Sequence, residues 1–264
     1  MRKIIKILVI SLLVITTSIA GILLGYSIFF NQKRNIIQFN TIIKEDIRPS
    51  YEYLKSVTVL IYGVGEYPPE TNDEMRQNRK YGRTLKENNT VEWIGTGVIV
   101  KIKNGYTYIL TNAHVVGNDM INVSVFVKDE YKKLEAEVIK CHQRLDMSLI
   151  KIKGKLGNKQ VIKGFSIAKP QDKLYLVGHY LGNPYTYGEG VFAGYNGIYD
   201  IIQVPCLWGN SGSGVFNKNE QLVALIFAIP CETVIIFPVF DVSHALAVDG
   251  LSIKLFIDKI EELK

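Results

Sequence analysis

From Ser56 onward the chain reads as short runs rich in Val, Ile, Tyr and Phe, cut apart by clusters of Gly, Asn, Asp and Lys. Such runs predict strands, because β-branched and aromatic side chains fit a pleated, half-buried surface. Six fall in the first half, at 57–62, 93–101, 106–111, 122–127, 134–141 and 147–153. Seven fall in the second, at 161–167, 173–177, 191–195, 201–204, 214–216, 221–229 and 243–248. Six strands suffice to close one barrel, and the second half holds enough for another, so an all-β chain of two six-stranded antiparallel barrels is expected. A helical period appears only at the end, where Leu251, Ile253, Leu255, Phe256, Ile257 and Ile260 interleave with Lys254, Asp258, Lys259 and Glu261. Residues 66–90 are polar, contain Pro68 and Pro69, and are expected to form a surface loop.

The chain opens on a different pattern. Residues 7–30 are an uncharged run of 24, long enough at about 1.5 Å per helical residue to cross a bilayer core. Ser18-Ile19-Ala20 also fits a signal-peptidase site, but cutting there leaves an apolar mature terminus, so the run reads as an uncleaved transmembrane helix. The expected organisation is an anchor with basic flanks at 1–34, a polar stalk at 35–50 and a folded domain at 51–264.

Charge then changes the picture. A net +6 invites a nucleic-acid partner, yet residues 1–44 hold Arg2, Lys3, Lys6, Lys33, Arg34 and Lys44 and no acid. That leaves 31 − 6 = 25 bases against 25 acids in the remainder, which excludes a basic phosphate-binding face there. The bases flank the apolar run instead, and their excess on its N-terminal side places the folded domain outside the cytoplasm. Cys141, Cys206 and Cys231 show neither CxxC nor Cys/His spacing, so no metal site is expected.

Candidate chemistry lies in three segments. Gly209-Asn210-Ser211-Gly212-Ser213-Gly214 is a glycine-rich turn that can expose a serine hydroxyl while backbone N–H groups face a developing oxyanion. Thr111-Asn112-Ala113-His114-Val115-Val116 puts His114 just after a strand, and Asp146 stands before the apolar run beginning Met147-Ser148-Leu149. Taken singly each is ordinary; together they give the order His, Asp, Ser at intervals of 32 and 65 residues.

With Gly95-Thr96-Gly97-Val98, Val177-Gly178-His179-Tyr180, Gly190-Val191 and Ala245-Leu246-Ala247-Val248, these segments resemble the trypsin-like (chymotrypsin-fold) serine peptidases of the HtrA type over residues 56–262. Ser213 and Gly214 depart from that family's usual Gly and Pro, and Trp208 replaces a common Pro. The chain after the terminal helix leaves no room for a PDZ domain, so a protease core alone is expected. The resemblance implies a serine endopeptidase with His114, Asp146 and Ser211 as catalytic residues, the N–H groups of Gly209 and Ser211 as oxyanion hole, and no cofactor. It implies a substrate pocket near Pro205, Ile226, Phe227, Ala228 and Ala245, without a carboxylate to select Lys or Arg. Its partners would be peptide or protein substrates and, through the anchor, a membrane. Cys206 and Cys231 flank Ser211 much as a pocket disulfide does in secreted relatives, with an offset of one residue; two ordinary core thiols are the alternative. His142, His179 and His244 lie outside the histidine motif and read as ordinary surface or hydrogen-bonded histidines. No basic site followed by Ile-Val occurs ahead of Val57, so activity is expected without N-terminal trimming. The competing reading is a catalytically inactive trypsin-like fold serving as a membrane-tethered binding module.

Overall fold

The computed structural model describes residues 48–67, 90–117, 119–128, 132–234, 237–240, 243–260 and 263, without the side chains of 231–242. The expected anchor, nearly all of the stalk and most of the loop at 66–90 lie outside these residues. Among the described residues no helix is long and apolar enough to cross a membrane.

The first barrel uses β1 (Thr58–Glu66), β2 (Thr90–Lys103), β3 (Tyr106–Thr111), β4 (Ile121–Lys128), β5 (Lys133–His142) and β6 (Met147–Lys153), closed in the order β1-β2-β3-β6-β5-β4. The second uses β7 (Lys173–Gly178), β8 (Thr186–Asn196), β9 (Tyr199–Gln203), β10 (Gly214–Phe216), β11 (Leu222–Ala228) and, beyond a separate hairpin, β14 (Ala245–Asp249). Their order is β10-β11-β14-β9-β8-β7, and every pairing within both barrels is antiparallel. Closure leaves neither sheet an open edge. Alternation sends Val59, Ile61, Ile99, Ile109, Ile150 and Ile152 into the first interior, and Leu174, Leu176, Phe192, Ile202, Val215 and Val223 into the second. A third cluster, including Val98, Leu110, Leu149, Tyr175, Phe216, Leu225 and Phe256, fills the seam between the barrels.

Three elements differ from the sequence reading. Residues 161–167 do not join the second barrel: they cross the seam, with Ile162 N–H donating to Ile99 O and Ser166 N–H to Leu222 O, and form only a single bridge, Phe165 with Leu222. Val161, Ile162 and Phe165 serve the seam, which is why the segment mimics a strand, while Ile167 is exposed. Residues 231–240 instead form a separate hairpin, β12 (Cys231–Val234) on β13 (Phe237–Phe240). A short helix, α1 (Tyr51–Val57), precedes β1 and was not expected, being too short to show a helical period. Ser50 caps it by accepting from Tyr53 N–H, and Tyr53, Leu54 and Val57 are buried beneath it. The expected terminal helix is α2 (Gly250–Asp258), capped by Asp249, whose Oδ1 accepts from the N–H groups of Leu251 and Ser252. It buries Ile253 and Phe256 and leaves Leu251 and Leu255 exposed.

Lys159 is a buried cation at the seam. Its ammonium donates to Lys55 O at 2.9 Å, Thr58 O at 2.7 Å and Tyr185 Oη at 2.9 Å, joining the end of α1 to the segment after β7. Such a group is tolerated only because acceptors replace its lost water.

Asp200, on β9, is 3% exposed, and burial, then the Asp249 charge, push its carboxyl up from 3.8 to about 7. A raised carboxyl pKa favours the folded state only while the group is protonated there. The contribution is therefore complete below about pH 4 and lost as pH rises through about 7. The stability of the unsubstituted protein minus that of Asp200→Asn should fall by a few kcal/mol, to order of magnitude, across that window. Urea denaturation at stepped pH measures it, and a flat difference would show that Asp200 does not titrate in the fold.

Candidate active site

Beyond β3 the chain turns through Asn112 and Ala113 into a single 3-10 turn, His114–Val116, ended by Gly117 in the left-handed region (φ 72°, ψ 39°). Val115 and Val116 sink into the first barrel and leave His114 at the surface of the turn. A second 3-10 turn, Gln143–Leu145, ends at Asp146, itself left-handed (φ 48°, ψ 46°), a conformation that Asp tolerates better than most residues. Asn112 Nδ2 donates to Asp146 O at 2.8 Å and ties the two turns together. Asp146 Oδ1 then accepts from His114 N–H at 2.9 Å, while Oδ2 lies 2.5 Å from His114 Nδ1. A carboxylate only accepts, so Nδ1 carries a proton, and the neutral form of the ring that fits this contact is the one with its lone pair on Nε2. The two side chains are 36% and 24% exposed, open enough for a substrate to reach the imidazole.

Ser211 lies in a turn whose peptide groups can be accounted for one by one. Trp208 O accepts from Leu181 N–H at 2.7 Å, Gly209 O from Thr96 Oγ1 at 2.7 Å, and Asn210 N–H donates to Leu207 O at 3.1 Å. Asn210 O accepts from Ser213 N–H at 2.9 Å, Ser211 O from Thr96 N–H at 2.7 Å, and Gly212 N–H donates to Ile226 O at 2.8 Å. Two donors remain: the N–H groups of Gly209 and Ser211 have no partner among the described residues. Because a trans peptide sets C=O and N–H in opposite directions, fixing Trp208 O on Leu181 turns Gly209 N–H away from Leu181.

Glycine is obligatory at two places here. Gly209 has φ 95°, and a Cβ there would stand 2.1 Å from His179 O; Gly212 has φ 83°, and its Cβ would stand 2.0 Å from Thr96 O. The histidine and serine turns meet across Gly95, where a Cβ would lie 2.6 Å from Val115 Cγ1 and 3.3 Å from Ser211 O. Gly95 thus has the residue after His114 and the carbonyl of Ser211 as neighbours; His114 and Asp146 are hydrogen-bonded, whereas no hydrogen bond joins His114 to Ser211 among the described residues.

Thr96 was given no role by sequence reasoning and His179 was read as an ordinary histidine, yet both support this turn. Buried Thr96 Oγ1 lies 3.0 Å from His179 Nδ1 as well as donating to Gly209 O. Burial, and secondarily the Lys159 charge, lower the His179 pKa from 6.5 to about 3, so its ring is neutral at ordinary pH. Their only sequence signals were a threonine between two glycines and a histidine before a turn. The other histidines do local work: His142 Nδ1 accepts from Leu145 N–H at 3.3 Å, and His244 Nδ1 lies 3.0 Å from Ser243 Oγ.

Of the expected pocket residues, Pro205 is exposed and Phe227 and Ala228 are half-buried. Ile226 and Ala245 are buried in the second barrel beside Cys206. Phe227 stacks on Tyr199 with ring centroids 4.7 Å apart. Cys206 is a free thiol, which decides against the disulfide and for the ordinary core cysteine; burial pushes it up to about 11.

Residues 95–225 match the profile of the trypsin-like peptidase domain. The chain carries a trypsin-like peptidase domain. Its curated relatives include a "Serine protease HtrA-like" of Staphylococcus haemolyticus, 30% identical over 154 residues that make up 50% of this chain and 24% of the relative. Another is a "Probable serine protease do-like" of Buchnera aphidicola subsp. Acyrthosiphon pisum, 31% identical over 172 residues, 53% of this chain and 34% of the relative. The aligned part is therefore 24% of one relative's length and 34% of the other's. Among solved structures, the Rv3671c protease from M. tuberculosis in its active form shares the fold at TM-score 0.58 and 17% identity, covering 81% of this chain and 85% of that one. The peptidase domain profile takes in β3, both 3-10 turns and the Ser211 turn.

Proposed function

We propose that this trypsin-like peptidase is a serine endopeptidase in which His114 is the general base, Asp146 its orienting partner and Ser211 the nucleophile. The observation that carries the reading is the pair of unspent N–H groups at Gly209 and Ser211, in a turn where the neighbouring peptide groups already have partners. Such donors are costly to leave unmet unless something transient needs them.

Peptides or proteins are the substrates that kinship with serine proteases implies. His114 Nε2 takes the Ser211 hydroxyl proton as Oγ bonds to the scissile carbonyl carbon, and the former carbonyl oxygen becomes an anion held by the two N–H groups. Collapse expels the amine, which leaves with the proton from His114. Water then repeats the sequence on the acyl-enzyme, releasing the acid and restoring Ser211. Asp146, bonded to Nδ1, keeps the imidazole in the required tautomer and stabilises its cation.

The pocket reading is that segments around Pro205, Ile226–Ala228 and Ala245 receive the side chain preceding the cleaved bond. Since none of them supplies a carboxylate, small or medium uncharged residues are preferred. Residues 1–34 anchor the chain, 35–50 act as stalk, and the domain faces away from the cytoplasm, on the strength of the apolar run and its basic flank.

A fluorophosphonate probe should label the full chain at Ser211, and Ser211→Ala should abolish labelling and hydrolysis while leaving the unfolding midpoint unchanged. Asp146→Asn should lower kcat by about 10⁴-fold, the loss known for the corresponding substitution in the chymotrypsin template. Persistent hydrolysis in Ser211→Ala would defeat the reading and favour the binding module. In a peptide library, cleavage should follow uncharged residues; a profile led by Arg, Lys or Glu would refute the pocket. Membranes from expressing cells should retain the chain through alkaline carbonate washing, and protease added from the cytoplasmic side should spare the domain; loss in the wash would count against the anchor.

A further inference from the structure

Two groups meet at the Thr96 hydroxyl, and its single proton dictates how they share it. Gly209 O can only accept, so the 2.7 Å contact uses that proton. The 3.0 Å contact with His179 must then run the other way, with Nδ1–H donating into the Thr96 oxygen. His179 is consequently held as the Nδ1–H tautomer, its Nε2 bare, buried and without a partner among the described residues. In the opposite tautomer Nδ1 and Gly209 O would compete for one proton, so the ring's protonation pattern sets the direction of the threonine hydrogen bond.

Thr96 grips the Ser211 turn three ways. Its N–H holds Ser211 O, its hydroxyl holds Gly209 O, and its own C=O, bonded by Thr111 Oγ1 at 2.7 Å, lies where a Cβ on Gly212 would come within 2.0 Å. These contacts fix the peptide planes on both sides of the one that carries Ser211 N–H, and the earlier of the two adjoins the plane that carries Gly209 N–H. Behind them His179 packs on Tyr185, with ring centroids 5.1 Å apart, and Lys159 pins the Tyr185 hydroxyl to the carbonyls at the end of α1. The turn is thus braced from inside the domain by ready-made hydrogen bonds.

We propose that Thr96 is the positioning residue for the oxyanion hole, and that His179, by donating to its hydroxyl, fixes the direction in which that hydroxyl supports Gly209. The proposal rests on the serine-peptidase reading and goes beyond it by assigning two residues that touch neither substrate nor reacting atoms.

Thr96→Val keeps the shape of the side chain but removes the hydroxyl; Thr96→Ser keeps the hydroxyl. If the hydroxyl aligns the oxyanion donors, Thr96→Val should lower kcat and the fluorophosphonate labelling rate of Ser211 by about 10- to 100-fold with KM changed less than about twofold. Thr96→Ser should stay within about threefold of the unsubstituted full chain. A second pair guards against misfolding of Thr96→Val: His179→Gln retains an N–H donor, whereas His179→Leu has none. Gln should keep most of the turnover and Leu should lose it, with near-UV circular dichroism confirming that each is folded. Equal rates in Thr96→Val and Thr96→Ser, or in His179→Gln and His179→Leu, would overturn the assignment, as would a loss expressed only in KM. An unsubstituted chain that takes no label at Ser211 would instead overturn the underlying peptidase reading.

Discussion

The 2.7 Å hydrogen bond from Thr96 N–H to Ser211 O is the tie on which the site depends. Each barrel closes on itself and satisfies its own ladder, so nothing in their sheets requires a particular alignment of one against the other. The seam core supplies adhesion, but apolar packing is not directional. A short N–H to O bond between β2 and the serine turn, in a spot that water does not reach, supplies direction. From it follow the closeness of Gly95 to both turns and the tight approach of Gly212 to Thr96 O. Bulk at either glycine would push the serine turn away from β2 and the histidine turn.

How much was legible in the sequence follows from which interactions are local. Strands with alternating or continuous apolar runs were readable because one barrel face is buried at each. The turns that hold His114, Asp146 and Ser211 were readable as candidate positions because each stands in a short motif at the end of an element, where the chain turns. Residues 161–167 were misread since an apolar run reports packing, and here Val161, Ile162 and Phe165 pack into the seam without their segment being a strand. Helix α1 was missed because two turns of helix, anchored by Tyr53, Leu54 and Val57, leave no repeat to detect.

The supports of the site were the least legible. Lys159 looks in sequence like any lysine of a polar segment, yet it is 8% exposed and ringed by acceptors from α1, β1 and the loop ahead of β8. His179 reads in sequence as an ordinary histidine, yet it lies under the Ser211 turn through its contact with Thr96. Both depend on partners more than 25 residues away along the chain, and no local pattern encodes a contact of that range.

The chain has two tryptophans, and the fold stations one on each side of the site. Trp93, half-buried in the first barrel, donates its indole N–H to Val115 O at 2.7 Å, directly behind the residue that follows His114. Trp208 is 45% exposed and its carbonyl anchors the approach to Gly209. The molecule thus carries its own pair of optical probes, with a sheltered indole emitting toward the blue and a wetted one toward the red.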